Sequence, residues 1–373
     1  MKWVVAFDSF KGSLSAQSAC AIAAKQLALS FPGSSILTLP VGDGGEGTID
    51  AILASLAGQW ISTEVVGPLP DRRVKSQFGW CDRERLALVE LAAASGLPLL
   101  TLDQRNPMKT TTFGTGQLIR AAWEENAEKI VIGAGGSATV DGGVGAAMAL
   151  GWSFLDPAGQ SIGLGGGELG RIDRILPPPF QLPPVEILCD VTNPLLGPRG
   201  AAAVFGPQKG ATQEMVNELE RGLTHLSELV HQQFGMELAE VPGAGAAGGF
   251  SGFGMLWFGA RLIPGIDEVL SILQFEQMCR DADWILTGEG SFDDQSLSGK
   301  AVSGVLAAAR KANPDIRTAV LAGKVSLTDT SSAGLDRVIE ISPRDLPVDM
   351  AIAQADKWLA RAVDRLAAEI KRA

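Results

Sequence analysis

The chain has 373 residues, a formal net charge of −11, 46% hydrophobic residues, four cysteines and two histidines. That apolar content is enough for a real core and excludes a disordered chain. The negative charge excludes nucleic acid or an anionic membrane as the main partner, because both would be repelled.

Strand-like and helix-like runs alternate from the first residues, the pattern of an α/β protein with mostly parallel sheets. Lys2–Phe7 reads as a buried strand, followed by a helix from about Ser15 to Ser30, a strand over Ser35–Leu39 and a helix over Thr48–Leu56. Val65–Leu91 differs, with short runs broken by Gly67-Pro68, Pro70-Asp71 and Asp82 that suggest antiparallel strands. The helix–strand–helix pattern returns over Thr115–Asn126, Lys129–Gly133 and Gly142–Leu150. A stiff Pro177-Pro178-Pro179 and Pro183-Pro184 connection leads into Val185–Cys189. Thr212–Phe234 carries Met215, Leu219, Leu223, Leu226, Val230 and Phe234 at three- and four-residue spacing, with Thr212 as N-cap. Strands follow at Ala282–Leu286, Thr318–Leu321 and Arg337–Ile341, with a helix over Ala301–Lys311. A single amphipathic helix is expected over Val348–Lys371, its stripe made by Ile352, Ala355, Leu359, Ala362, Leu366 and Ile370. We expect a discontinuous α/β domain from residues 1–62 and 270–373, with a second α/β domain, 63–269, inserted in it.

Cys20, Cys81, Cys189 and Cys279 form no C-x-x-C, so no zinc site is expected and a reduced, cytoplasmic protein is. The N-terminus reaches Asp8 before a signal peptide could form, and there is no apolar run of about 18 residues. His225 and His231 both fall on the 212–234 helix and read as packing or surface residues, which leaves a carboxylate as the expected base.

Glycine, 45 residues or about 12% against a usual level of about 7%, is clustered, and the clusters mark functional loops. Asp8-Ser9-Phe10-Lys11-Gly12-Ser13 sets an acid and a lysine before a helix. Thr110–Gly116 brings four hydroxyls and two glycines, a candidate phosphate or carboxylate cradle, and Gly135-Gly136-Ser137-Ala138-Thr139 does the same after a strand. Asp43-Gly-Gly-Glu-Gly and Asp141-Gly-Gly-Val-Gly echo each other as tight turns. Cys189–Pro194 ends a strand with groups suited to magnesium and its waters. The run from Gly288 to Lys300 combines Glu289, Gly290, Asp293 and Lys300 where a strand meets a helix. Together they describe a polyanion site with a hard metal. The Walker sequence is absent, since Ala301 follows Gly299-Lys300 and Asp294 stands where its first glycine belongs. Gly243, Gly245 and Gly248 make a G-x-G-x-x-G, but Pro242 precedes it and no good strand feeds it, a poor context for the dinucleotide of a dehydrogenase.

Eight blocks in this order resemble the bacterial glycerate kinase family of the glucarate, galactarate and glyoxylate pathways. They are D-S-F-K-G-S-L-S-A at 8–16, D-G-G-E-G-T at 43–48, R-N-P-M-K-T-T-T-F-G-T-G at 105–116, G-A-G-G-S-A-T-V-D-G-G at 133–143, C-D-V-T-N-P-L-L-G at 189–197, F-G-P-Q-K-G-A at 205–211, G-A-G-A-A-G-G at 243–249 and T-G-E-G with D-x-Q and G-K over 287–300. The resemblance spans essentially the whole chain. It implies ATP-dependent phosphorylation of glycerate with Mg²⁺, 2-phosphoglycerate as product, and two α/β domains, one flavodoxin-like, outside the P-loop kinases. Phe7, Phe113, Val140 and Ser291 depart from the Pro, Tyr, Asn and Arg usual in the family pattern.

On this basis Asp190 and Asp293 are the expected metal ligands with Glu289 in reserve. Lys300 and Lys11 are the expected phosphate clamps with Lys209 in reserve, and Gly288, Gly290, Gly135 and Gly136 are the backbone donors. Arg105 is the candidate for the glycerate carboxylate, since its planar fork suits bidentate pairing. Ser9, Thr115 and Ser137 complete the substrate contacts, and Asp43 or Asp8 accepts the hydroxyl proton. A non-catalytic nucleotide- or metabolite-binding paralogue and a kinase of another small hydroxy acid are the alternatives. Monomer and homodimer both stay open.

Overall fold

Lys2–Phe7, the first apolar run, lies inside a five-stranded, wholly parallel sheet. In the computed structural model, residues 1–10, 12–42, 47–293, 301–326 and 334–372 are described. Contacts divide the chain into two units, one of Met1–Ala57 with Pro264–Ala373 and one of Gly58–Ile263. In the first, the strands run in space as Ser35–Thr38, Lys2–Phe7, Trp284–Gly288, Arg317–Ala322 and Arg337–Glu340. Numbered along the chain this is 2-1-3-4-5, the flavodoxin-like order. Its three inner strands are buried almost throughout, because parallel sheets are covered on both faces, whereas the edge strands Ser35–Thr38 and Arg337–Glu340 are partly exposed. Trp3 and Trp284, paired across neighbouring strands, stack at 5.5 Å and 16°.

The helix Ala16–Ser30 starts where Ser15 accepts a hydrogen bond from the Ser18 N–H, and it buries Ala19, Ala23 and Leu27. These pack with Trp3, Phe7, Leu359 and Leu366 in one core. The expected single helix at the C-terminus is two. Gln354 (φ −125°, ψ 24°) separates Val348–Ala353 from Ala355–Arg372. Only the second piece has the sheet beneath it: Leu359, Ala362 and Leu366 are buried, whereas Ile352, expected on the same stripe, is exposed.

In the second unit the spatial order is Arg261–Ile263, Val185–Leu188, Lys129–Gly133, Leu86–Glu90, Arg73–Cys81, Gln59–Val66. The first four strands are parallel, and the last two pairings are antiparallel, as the broken runs after Val65 suggest. The helix Gln213–Phe234 begins at Thr212, whose hydroxyl accepts from the Met215 N–H at 3.4 Å. It ends at Gly235, in the left-handed region with its N–H on the His231 carbonyl. Val216, Leu219, Leu223, Leu226 and Val230 form its buried stripe. Because the four parallel strands point the same way, the segments after Glu90, Gly133 and Leu188 all leave from one edge of this sheet. Among the described residues no helix is long and apolar enough to cross a membrane.

Candidate active site

In the Gly58–Ile263 unit the centre of the sheet edge is Asp141. It is 1% exposed. Its Oδ2 accepts from the Thr112 N–H at 2.8 Å and the Thr112 hydroxyl at 2.9 Å, and its Oδ1 accepts from the Gly143 N–H at 3.2 Å. Burial raises its pKa, opposed by the Thr112, Gly143 and Gly145 N–H groups, which favour the charged form. Each glycine of Asp141-Gly-Gly-Val-Gly has a reason. Gly142 and Gly143 have φ of +58° and +70°, and a Cβ on Gly145 would stand 2.8 Å from the Phe113 nitrogen and 3.0 Å from Asp141 Oδ2. The sequence pattern signalled this turn, but it did not mark Asp141 as the residue that ties two loops together.

The hydroxyls of Thr110–Thr115, expected as an open cradle, are instead fully buried. Thr110 donates to the Ala138 carbonyl at 2.7 Å, Thr112 to Asp141, and Thr115 to Ser95 Oγ at 2.9 Å. Gly114 and Gly116 allow this, since a Cβ on either would overlap the Val66 or the Ala146 carbonyl. The run is internal scaffolding for the neighbouring loop, and Thr115 does not reach solvent. Ser137 is also buried, with its Oγ accepting from the Thr139 N–H at 3.1 Å.

Lys209 is 2% exposed. Its Nζ donates to the Thr139 carbonyl at 2.7 Å and to Ser137 Oγ at 3.3 Å. Burial pulls its pKa down to about 7 against the attraction of Asp141. Gly210, at φ +89°, is pressed against the Arg105 backbone, so Arg105 sits beside the residue that follows Lys209. Arg105 is half-buried, and its Nε has no hydrogen-bond partner among the described residues, a donor left available for an anion.

Asp190 is exposed just beyond Val185–Leu188. Its loop is anchored by the Cys189 thiol, which donates to the Val191 carbonyl at 3.3 Å, and by Asn193, which donates to the Arg199 carbonyl at 2.8 Å. The G-x-G-x-x-G run packs here. A Cβ on Gly243 would lie 2.8 Å from Cys189 Sγ, and on Gly248 2.6 Å from Val140 Cα. These glycines let three loops converge. Val140 itself is buried in the core of the unit.

In the other unit, Asp8 and Glu289 flank the place where the strand order reverses, beyond the ends of Lys2–Phe7 and Trp284–Gly288. That is where open α/β sheets bind ligands. The Asp8 N–H donates to the Gly288 carbonyl at 3.1 Å, and the Ser9 N–H to Asp8 Oδ1 at 2.6 Å. Gly288, expected as a phosphate donor, is buried within its strand, and a Cβ there would overlap the Leu321 carbonyl. Gly290 accepts from the Lys324 N–H at 3.1 Å, in the short parallel pairing of Ser291–Asp293 with Lys324–Ser326. Glu289 and Asp293 are half-buried and Ser291 is exposed. Lys11, Asp43 and Lys300 lie outside the described residues. His225 Nε2 lies 2.6 Å from the Ile172 carbonyl, and His231 pairs with Glu237.

Among the described residues no three carboxylate, His or Cys side chains gather as a metal cage. Mg²⁺ is ordinarily held by one or two carboxylates together with substrate phosphates. The hard oxygens of Asp190 on one sheet edge, and of Glu289 and Asp293 on the other, are of that kind.

A flavodoxin-like sheet and a second parallel-rich sheet, in a chain with no Walker sequence, set this protein outside the P-loop kinases. The chain belongs to the glycerate kinase family, whose model matches residues 3–371. A glycerate kinase of Bacillus subtilis is 41% identical over 100% of this chain and 98% of its own length. The glycerate 2-kinase of Escherichia coli is 39% identical over 99% of this chain and 98% of its own. The crystal structure of a Salmonella typhimurium protein assigned as glycerate kinase 2 has a TM-score of 0.90 and 38% identity, covering 100% of this chain and 98% of its own.

Proposed function

We propose that the protein phosphorylates glycerate with ATP and Mg²⁺ and releases 2-phosphoglycerate. The observation that carries this is the unbroken family match from residue 3 to residue 371, which includes every polar loop at both sheet edges. Arg105 receives the glycerate carboxylate on its unpartnered donor. Gly135 and Gly136 offer backbone N–H groups to an anion. Asp8, buried to 9% exposure at the reversal of strand order, or Asp43, accepts the hydroxyl proton as the oxygen attacks. Lys300 and Lys11 clamp phosphate. Phosphoryl transfer asks for positioning and charge neutralisation rather than covalent catalysis, which suits a site without histidine. The candidate Mg²⁺ carboxylates are Asp190 in one unit and Asp293 and Glu289 in the other, and the ion would neutralise phosphate charge when bound.

Burial pushes the thiols of Cys20 and Cys279 up to about 12 and that of Cys81 to about 11, and all four cysteines are free. We place the protein in the cytoplasm on its cysteine pattern, four scattered residues with no C-x-x-C. The test is ADP release dependent on D-glycerate and Mg²⁺, with ³¹P and ¹H NMR of the product. Formation of 2-phosphoglycerate is the expected result. Phosphorylation of a different small hydroxy acid, with glycerate inert, would replace the substrate, and ATP binding without turnover would replace the enzyme reading.

A further inference from the structure

From Ile130 to Asp141 the chain is buried except at Gly135 and Gly136. Neither of these N–H groups meets an acceptor among the described residues. Gly136 has φ +69°, and a Cβ on Gly135 would stand in open space. Successive backbone donors turned outward in such a turn form an anion-binding concavity. The other side of this loop is held firmly. The Leu97 N–H donates to the Gly136 carbonyl at 2.9 Å, the Ala138 N–H to the Ser95 carbonyl at 2.9 Å, and Thr110 Oγ1 to the Ala138 carbonyl. Lys209 completes the set, reaching in from the separate turn Pro207–Lys209 to Thr139 and Ser137.

We propose that Lys209 is a positioning residue: its buried Nζ fixes the 134–141 loop from behind, so that Gly135 and Gly136 face an anionic group of a substrate that Lys209 never touches. The sequence suggests a phosphate-binding lysine here, but Nζ is enclosed and spent on Thr139 and Ser137. A charge kept out of water is a poor source of stability, and an apolar side chain of equal volume would serve packing as well or better. What the amine adds is two directed hydrogen bonds, to Thr139 and Ser137, that define one loop conformation. The anion is the carboxylate of the acceptor or a phosphate of the donor. Their identity rests on the kinase reading, whereas the Lys209 contact does not.

The experiment uses the full chain and the variants Lys209→Met, Lys209→Gln and Gly135→Val. KM is measured separately for D-glycerate and for ATP, and amide hydrogen exchange is followed over residues 129–143 by mass spectrometry. Lys209→Met is expected to speed exchange in that segment but not in the helix Gln213–Phe234. It should also raise one KM by roughly ten-fold, the scale of losing one or two ordinary hydrogen bonds. A rise for D-glycerate identifies the carboxylate, and a rise for ATP the phosphate. Lys209→Gln, which keeps an N–H donor, should recover part of the loss. Gly135→Val places its Cβ in open space and should raise the same KM without altering exchange behind it. Unchanged KM values and unchanged exchange in folded Lys209→Met would overturn the proposal. Should Lys209→Met not fold, unchanged KM values in Gly135→Val overturn it instead. If the wild-type protein converts no glycerate, the kinase reading fails, and the exchange pattern alone decides the role of Lys209.

Discussion

Gly135 and Gly288 occupy equivalent places in their units, each close beyond or at the end of a central parallel strand, and the sequence suggests the same task for both. The structure separates them. A Cβ on Gly135 meets open space, whereas a Cβ on Gly288 would overlap the Leu321 carbonyl. At one edge glycine leaves donors uncovered, and at the other it lets two backbones touch. A glycine-rich loop is therefore not a ligand site by composition. The distinction lies in what stands over its Cα.

The sharpest way to break that contrast is to add a methyl group at each position. Gly288→Ala should lower unfolding stability by about 3 kcal/mol or more, because the neighbouring strand must move. Gly135→Ala should stay within about 0.5 kcal/mol of wild type. Paired denaturant titrations decide this, and equal stabilities would show that the close approach at Gly288 relaxes freely. Next in size is Asp8→Asn, which keeps the Oδ1 acceptor for the Ser9 N–H while removing the charge. Loss of a general base costs on the order of 10²-fold in kcat. A kcat near that of wild type would pass the role to Asp43.

A smaller effect belongs to Lys209. Its pKa falls from 10.5 to about 7 on folding, so between these values the unfolded chain holds a proton that the folded one has released. Stability contributed through this group therefore rises with pH across that window, and the burial cost is felt in full below pH 7. Lys209→Met should flatten the rise in stability between pH 7 and 9, by up to about 1.4 kcal/mol per pH unit for one proton. The same slope in both proteins, read from urea titrations at several pH values, would mean that the lysine stays protonated throughout. The smallest effect is expected for the His225→Gln, His231→Gln double variant, whose kcat/KM should remain within a few fold of wild type. Loss of the acidic limb of its pH–rate profile would put a histidine into the chemistry.

Much of the fold is legible along the chain because the signals are local. The period of the Thr212–Phe234 helix, its Thr212 cap and the broken runs after Val65 each need only a dozen neighbouring residues to be read. The flavodoxin-like order came through the family resemblance. What escaped depends on distant partners. The stripe over Val348–Lys371 is continuous in sequence, but only from Ala355 onward does it have a surface to bury against. Thr110, Thr112 and Thr115 have the composition of an open cradle, and their burial is decided by Ala138, Asp141 and Ser95. Asp141 was visible as part of a turn, yet its hub role needs the Thr112 loop laid against it. Gly243–Gly248 matches a nucleotide pattern by spacing, and only the proximity of Cys189 and Val140 shows it to be a packing joint.

The pairing of Trp3 with Trp284 has a consequence for how the polypeptide is made. Lys2–Phe7 leaves the ribosome well before its inner neighbour in the sheet, which is synthesised some 280 residues later. Until then the nascent strand has Ser35–Thr38 on one side and an open edge on the other, an exposed apolar template for unwanted pairing. The Gly58–Ile263 unit is continuous in the chain and can acquire its structure in the meantime, since domains generally fold as units during synthesis. The order of maturation is then inside-out, with Gly58–Ile263 settling before the segment that precedes it. Stalled nascent chains released after residue 263 should resist protease over 58–263 and be cut within 1–57, whereas equal resistance in both segments would argue that the amino-terminal strands find shelter without their late partner.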